Sequence, residues 1–279
     1  MPSVRRRFGS YRAGCPRRAA KHIRPIRCDA AIGESFARRL AARGDNLVLV
    51  ARSEDKLAAL CSELGREHKA NAQYVAVDLS QKSGPKTLFD EMTSRGLDID
   101  LLINNAGFGV MGDFVEKDLE RQLQMIDLNI RALTELCHRF LPGMRERRRG
   151  EIINVASTAS FQAVPFMATY AATKAYVLSL SEALWDENRE YGIAVLALCP
   201  GVTDTNFFEA ANSAPPGMRV MQTPEEVVET GLKALAARRG HVVCGWMNFM
   251  MTESERVVPR SMVTRVAGKA LRKQYQGRG

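Results

Sequence analysis

No uncharged apolar run in this chain of 279 residues is longer than a strand; Ile193–Cys199 is among the longest. A membrane-spanning helix needs roughly 20 such residues, so no integral membrane segment is expected. No C-x-x-C pair occurs either. The six cysteines, Cys15, Cys28, Cys61, Cys137, Cys199 and Cys244, are scattered, and no fourth ligand joins Cys15, His22 and Cys28 at zinc-like spacing. Free thiols in a reducing cytoplasm, without a metal site, are the expectation. Acidic residues are scarce at one end only. Residues 1–29 carry nine basic side chains against the single acid Asp29, whereas the other 250 residues hold 31 basic and 30 acidic groups. The net charge of +9 is therefore a property of a tail. Such a segment reads as a solvated arm, a nucleic-acid arm or a transit peptide. The near-neutral body, with no basic patch interleaved with aromatics, argues against a nucleic-acid partner.

Short β-branched runs alternate with amphipathic stretches from residue 46 onward. Strands are expected at Asn46–Ala51, Gln73–Val77, Ile99–Ile103, Glu151–Val155, Ile193–Cys199 and His241–Cys244, with helices near 33–43, 54–68, 83–95, 117–147, 168–191 and 224–238. Several strands are continuously apolar rather than alternating, the pattern of a sheet covered on both faces. Repeated strand–helix units imply a parallel sheet with right-handed crossovers, hence an α/β, Rossmann-like doubly wound fold in a single domain. Residues 203–223, with Pro215, Pro216 and Gly217, read as a mobile loop, and 252–274 as a basic surface helix.

Tyr170 and Lys174 lie four apart in a helical stretch and so share a face. A phenol with an ordinary pKa near 10 can exchange protons near neutrality only if a neighbouring cation stabilises its phenolate. Alone, the pair also fits two solvated residues on a helix surface. Its surroundings are more specific. Ser157 stands thirteen residues upstream, after the strand Glu151–Val155; Asn104-Asn105-Ala106-Gly107 follows another strand; Asp127-Leu128-Asn129 lies in a helix; and Cys199-Pro200-Gly201 leads into Val202-Thr203-Asp204-Thr205. In this order and spacing the chain resembles the short-chain dehydrogenase/reductase family over about residues 32–250.

The resemblance implies a role for each matching position. Tyr170 is the general acid/base of hydride transfer between NADP(H) and a carbonyl or alcohol. Lys174 lowers its pKa and bonds the nicotinamide ribose. Ser157 holds the substrate oxygen, and Asn129 positions a water that relays protons from Lys174. Asn105, Ala106 and Gly107 pass close to the cofactor. Pro200, Gly201, Thr203 and Thr205 grip its nicotinamide amide and pyrophosphate, and Asp78 bonds the adenine edge. Homo-oligomerisation through the long helices follows from the resemblance alone.

Cofactor choice has a physical basis. In this fold an acid at the end of the second strand accepts from the 2′-hydroxyl of NAD. Here Leu47–Val50 runs into Ala51-Arg52-Ser53, and Arg52 offers a guanidinium fork suited to a 2′-phosphate. NADP(H) is the expected cofactor. Phe108, Phe161, Phe166, Met167, Phe207 and Phe208 suggest an apolar substrate of acyl-chain or steroid-like character, although aromatics there also fit ordinary packing.

The pattern breaks before Ile32. The family's T-G-x-x-x-G-x-G turn keeps only Gly33; the other two glycine positions hold Arg27 and Ala31, and the threonine position holds Ile26. Residues 19–25 include Lys21, Arg24 and Pro25, poor choices for a central strand. The first strand is thus expected to be degraded or missing, parting strands 2 and 3 from the rest, and residues 1–31 to be a basic, non-matching and disordered segment. A wrong start or reading frame is the expected origin of that segment, with a divergent arm as the alternative. The body spans 32–250, followed by a basic helical tail at 251–279. An incomplete phosphate loop also admits a catalytically impaired nucleotide-binding scaffold.

Overall fold

The computed structural model describes residues 23–27, 31–203, 221–255 and 257–276. Seven strands form one sheet: β1 (Ile23–Arg27), β2 (Asn46–Ala51), β3 (Ala72–Ala76), β4 (Leu101–Asn104), β5 (Gly150–Val155), β6 (Ile193–Cys199) and β7 (His241–Val243). Their order is β3-β2-β1-β4-β5-β6-β7, and every pairing is parallel. Between them run α1 (Ala31–Ala41), α2 (Glu54–His68), α3 (Gly84–Ser94), α4 (Leu119–Ile126), α5 (Leu133–Glu146), α6 (Ala168–Asn188) and α7 (Pro224–Ala236). Two helices follow β7: α8 (Trp246–Ser254) and α9 (Arg260–Gln276).

Strand composition explains the layering. In β6 all seven residues are buried. Ile193, Val195, Ala197 and Cys199 join the core beneath α3, α5 and α6, while Ala194, Leu196 and Leu198 join the core beneath α1, α2 and α7. A strand that feeds two cores leaves no position for a charge, which is why its sequence is unbroken apolar. β2 divides the same way, with Val48 and Val50 on one side and Leu47 and Leu49 on the other.

The missing-strand expectation is corrected at β1. Residues Ile23–Arg27 form a strand in register with β2 at five positions, from Ile23↔Asn46 to Arg27↔Val50, and meet β4 at Ile26↔Ile103. Strands 2 and 3 therefore stay joined to the rest of the sheet. Backbone pairing by the flanking strands overrides a poor local sequence, as tertiary context does generally for strand propensity. Residues 1–22 and 28–30 lie outside the described residues, and with them most of the expected N-terminal segment.

The long helix expected at 117–147 is interrupted. Between α4 and α5 the backbone makes a π-helical turn at Asp127–Ala132, widening the helix around Asn129. The tail differs as well: α8 was not expected, and it ends at Ser254, with α9 beginning only after Pro259. Most of the expected mobile loop, 204–220, lies outside the described residues.

Candidate active site

In a parallel sheet every strand delivers its C-terminal end to the same edge. At that edge Arg52 follows β2, Asp78 follows β3, Asn105–Gly107 follow β4, Ser157 follows β5, and Pro200–Thr203 follow β6. Topology alone thus gathers residues separated by up to 151 positions in sequence, from Arg52 to Thr203.

Around Tyr170 the contacts are specific. Tyr170 and Lys174 lie in the first two turns of α6, and both side chains are buried. The Lys174 Nζ donates to the Val155 carbonyl at 2.7 Å and stands 5.9 Å from the centre of the Tyr170 ring. Ser157 opens a short 3₁₀ turn, Thr158–Ser160. Its Oγ accepts from the Ala159 N–H at 3.1 Å, and the Ser160 hydroxyl reciprocates by accepting from the Ser157 N–H. Ser160 Oγ in turn donates to the Lys174 carbonyl at 2.9 Å, tying this turn to α6. The Ser157 side chain also hydrogen-bonds Tyr170.

Asn129 uses the widened helix. Its Oδ1 accepts from the Phe108 N–H at 3.3 Å, and its Nδ2 donates to the Phe108 carbonyl at 3.1 Å and to Thr173 Oγ1 at 3.0 Å. π-turns are frequent at functional sites because they shift one side chain out of helical register. Gly107 fits into the same knot. A Cβ there would lie 3.1 Å from Asn129 Oδ1 and 3.2 Å from Lys174 Nζ, tighter than side chains ordinarily pack. Asn129, Thr173, Lys174 and Gly107 form one joined unit.

Burial dominates the electrostatics. It pushes the Tyr170 phenol up to about 12, with the Ser157 hydrogen bond acting the other way. It pushes the Lys174 ammonium down to about 8. The expected depression of the tyrosine by the lysine is not what this geometry displays: the ammonium is turned to the Val155 carbonyl, and desolvation prevails.

The remaining expected positions sit around this centre. Arg52 is exposed. Burial would raise the Asp78 carboxyl, but two hydrogen bonds from Ser80 and the charge of Arg52 hold it below the usual range. Gly33 is buried in the first turn of α1, and Thr203 is buried with its hydroxyl donating to the Gly201 carbonyl at 3.1 Å. Pro200 accepts from the Thr158 N–H at 2.9 Å, linking the ends of β5 and β6. Ala106 packs partly buried against the core. Thr205, Phe207 and Phe208 lie outside the described residues. Phe108 is covered by the Arg121 guanidinium at 4.0 Å, and Phe161 meets the His241 ring at 6.2 Å, so both aromatics also serve packing.

One chain of buried polar groups was not anticipated. Asn104 Nδ2 donates to Asn154 Oδ1 at 2.8 Å, Asn154 Nδ2 donates to Ser181 Oγ at 2.9 Å, and Ser181 Oγ donates to the Val177 carbonyl at 2.6 Å. It locks the ends of β4 and β5 to α6. Its traces in the sequence are the polar Asn154 inside the apolar strand Glu151–Val155 and Asn104, which reads there only as the start of the Asn104–Gly107 run.

These residues suit a nicotinamide dinucleotide in part. Gly107 leaves beside Lys174 the space that a Cβ would fill, and Arg52 supplies an exposed cation after β2. The turn into α1 fits less well, since Arg27 and Ala31 stand where glycines would let backbone approach a pyrophosphate. Among the described residues no cluster of His, Cys, Asp or Glu is arranged to hold a metal.

Comparison with known proteins extends the geometry. A model of the short chain dehydrogenase family matches residues 26–216. A very-long-chain 3-oxoacyl-CoA reductase of Macaca fascicularis is 32% identical over 232 residues, covering 77% of this chain and 70% of that protein. Among solved structures, a short-chain dehydrogenase from Sphingobium yanoikuyae in complex with NADPH superposes with a TM-score of 0.75 at 31% identity, covering 80% of this chain and 87% of that one. A 3-oxoacyl-[acyl-carrier protein] reductase from Brucella melitensis with bound NAD gives 0.70 at 25% identity, covering 81% and 91%.

Proposed function

Because the chain belongs to the short chain dehydrogenase family of oxidoreductases, we propose that it transfers a hydride between NADP(H) and a carbonyl or alcohol, with Tyr170 as general acid/base. The observation that carries this reading is the convergence of Ser157, Tyr170, Lys174 and Asn129 at the C-terminal edge of the sheet.

The chemistry assigned to these residues is limited and definite. When bound, reduced nicotinamide supplies the hydride to the carbonyl carbon. Ser157 and Tyr170 share the carbonyl oxygen, and the Tyr170 hydroxyl passes its proton to that oxygen as the alcohol forms. A phenol near 12 remains protonated at neutral pH and is ready to donate. The Lys174 ammonium stabilises the phenolate left behind, most strongly in a dry site. Asn129, held by its bond to Thr173, is assigned to position a water that links Lys174 to solvent, from which the proton is replaced.

NADP(H) is favoured over NAD(H) because Arg52, rather than an acid, follows β2. Solved relatives carry NADPH or NAD, so the fold itself takes either. An apolar substrate, acyl-chain or steroid-like, is favoured by Phe108, Phe161, Phe166 and Met167 near the site and by the acyl substrates in the names of two relatives. Homo-oligomers and a cytoplasmic location complete the reading. Cys61, Cys137, Cys199 and Cys244 are free thiols, as in a reducing compartment, and no described helix is long and apolar enough to cross a membrane.

A second reading rests on Arg27 and Ala31: a nucleotide-binding scaffold whose weakened phosphate turn leaves it catalytically impaired. An NADPH-consumption screen over ketones and 3-oxoacyl compounds separates the two, run on this chain, on Tyr170→Phe and on Arg27→Gly/Ala31→Gly. Turnover abolished by Tyr170→Phe supports the enzyme. Activity only after the glycines are restored supports the scaffold.

A further inference from the structure

Half of the large apolar side chains exposed among the described residues fall between Trp246 and Val266. On α8, Trp246, Met247 and Met250 are exposed, Trp246 to 74%, while Asn248 and Thr252 turn inward. On α9, Met262 and Val266 are exposed one turn apart, and Val257 between the helices is 85% exposed. Single exposed apolar residues need no explanation, but a run of them on consecutive helices does.

Charge identifies the occupant. After Glu255 the sequence holds seven cations, Arg256, Arg260, Arg265, Lys269, Arg272, Lys273 and Arg278, and no acid. Arg265 and Lys269 are exposed on α9 beside Met262 and Val266. The two acids of the neighbouring helix end, Glu253 and Glu255, are both partly buried. A protein partner or a second copy explains the apolar residues but gives no reason for an acid-free cationic helix. An anionic phospholipid surface meets both features: apolar side chains enter the acyl boundary while lysines and arginines face the headgroups.

We propose that α8 and α9 form a docking face for an anionic bilayer surface, holding the protein on the membrane without crossing it. The face is coupled to the site. A Cβ on Gly268 of α9 would lie 3.2 Å from Pro165, and Arg272 stands 5.9 Å above the Phe166 ring. Asn248 of α8 lies so close to Gly201 that a Cβ there would meet its Nδ2 at 2.2 Å. Docking sets the loop that carries Phe166 beside the bilayer, where apolar substrates partition.

Vesicle flotation and Trp246 fluorescence test this directly, using purified full-length protein with Trp185→Phe to leave one tryptophan. With phosphatidylcholine–phosphatidylglycerol vesicles the protein floats and Trp246 emission shifts to the blue; pure phosphatidylcholine binds far less. Each cation removed weakens binding about fivefold, so Arg265→Gln/Lys269→Gln loses roughly an order of magnitude or more, while Trp246→Ser/Met250→Ser abolishes the shift. Thermal midpoints of these surface variants identify any that misfold, and the salt dependence of the parent protein gives a readout independent of substitution. Equal binding to neutral vesicles, or none to anionic ones, overturns the proposal. So does light scattering that finds a dimer dispersed by Trp246→Ser/Met250→Ser, which would make this face a contact between copies. None of these readouts requires turnover, so they stand apart from the fate of the catalytic reading.

Discussion

The Lys174 ammonium donates to the Val155 carbonyl at 2.7 Å while standing 5.9 Å from the centre of the Tyr170 ring. In the proposed mechanism the lysine would stabilise the phenolate only while it carries its charge. With burial holding Lys174 at about 8, the cation is present at neutral pH and lost above it. Carbonyl reduction is expected to be flat from about pH 6 to about pH 7 and to decline through pH 8. Lys174→Arg, which keeps its charge, moves that decline to higher pH if it folds. A pH–rate profile unchanged by this substitution excludes the assignment. Tyr170→Phe is expected to lower kcat by about 10²–10⁴-fold, the usual contribution of a general acid.

The same lysine works against stability. Its pKa is about 8 in the folded chain and 10.5 ordinarily. Between those values the unfolded chain binds a proton that the folded chain has released, so stability rises with pH across this window and is lower below it. Tyr170 acts in the opposite sense and only from 10 to about 12, where the folded phenol stays protonated and stability falls as pH rises. Lys174→Met is therefore expected to raise the thermal midpoint by a few degrees at pH 7 while abolishing turnover. It should also flatten the rise in stability above pH 8. Calorimetry across pH would show a lower midpoint instead if the bond to Val155 outweighs desolvation.

How much of this was legible follows from the range of each interaction. β2 and β6 were readable to the residue because two-sided burial demands an unbroken apolar run. Asn129, Ser157, Tyr170 and Lys174 could be named together from their order and spacing along the chain, although only Ser157 stands just after a strand and the others lie on helical segments. The π-turn at Asp127–Ala132 was not, since one widened turn barely alters a 3.6-residue period. Asn154 and Ser181 were missed because their partnership spans 27 positions and leaves no local pattern. β1 was misjudged for the opposite reason: Arg24 and Pro25 speak against a strand locally, and only pairing with β2 and β4 makes one.

Arg52 tests cofactor choice. It is exposed, and its charge already bears on Asp78. A charge-assisted bond to a 2′-phosphate contributes about 1.5–3 kcal/mol, so Arg52→Ala should weaken NADPH binding by roughly 10- to 100-fold and leave NADH nearly unchanged. Fluorescence titration of both cofactors measures this. Equal loss for the two would remove the argument for NADP(H).

An apolar stripe on α4 tests the assembly. Leu119, Leu123 and Ile126 are exposed at helical spacing, and on α6 the exposed Tyr176 hydroxyl lies 3.0 Å from Thr134 Oγ1 of α5. If this stripe joins copies of the chain, Leu123→Asp shifts the mass in light scattering to that of a monomer while preserving helicity. A parent protein that is already monomeric at micromolar concentration rules the assembly out.

Pro25 occupies the middle of β1, opposite Val48 of β2, in a strand with neighbours on both sides. Proline brings no N–H, so one donor of a parallel ladder is missing at the centre of the sheet. Pro25→Val supplies it, along with a β-branched side chain, and should add about 1 kcal/mol, or some 2–4 °C in thermal midpoint for a domain of this size. Cofactor affinity should stay where it is, because the phosphate turn is untouched. Arg27→Gly/Ala31→Gly should do the reverse, tightening NADPH by an order of magnitude or more with little thermal gain, since glycines favour backbone approach but not strand or helix. Measured together, the two variants separate a weak strand from a weak phosphate turn. If Pro25→Val leaves the midpoint unmoved, β1 contributes little to holding β2 and β3 against the rest of the sheet.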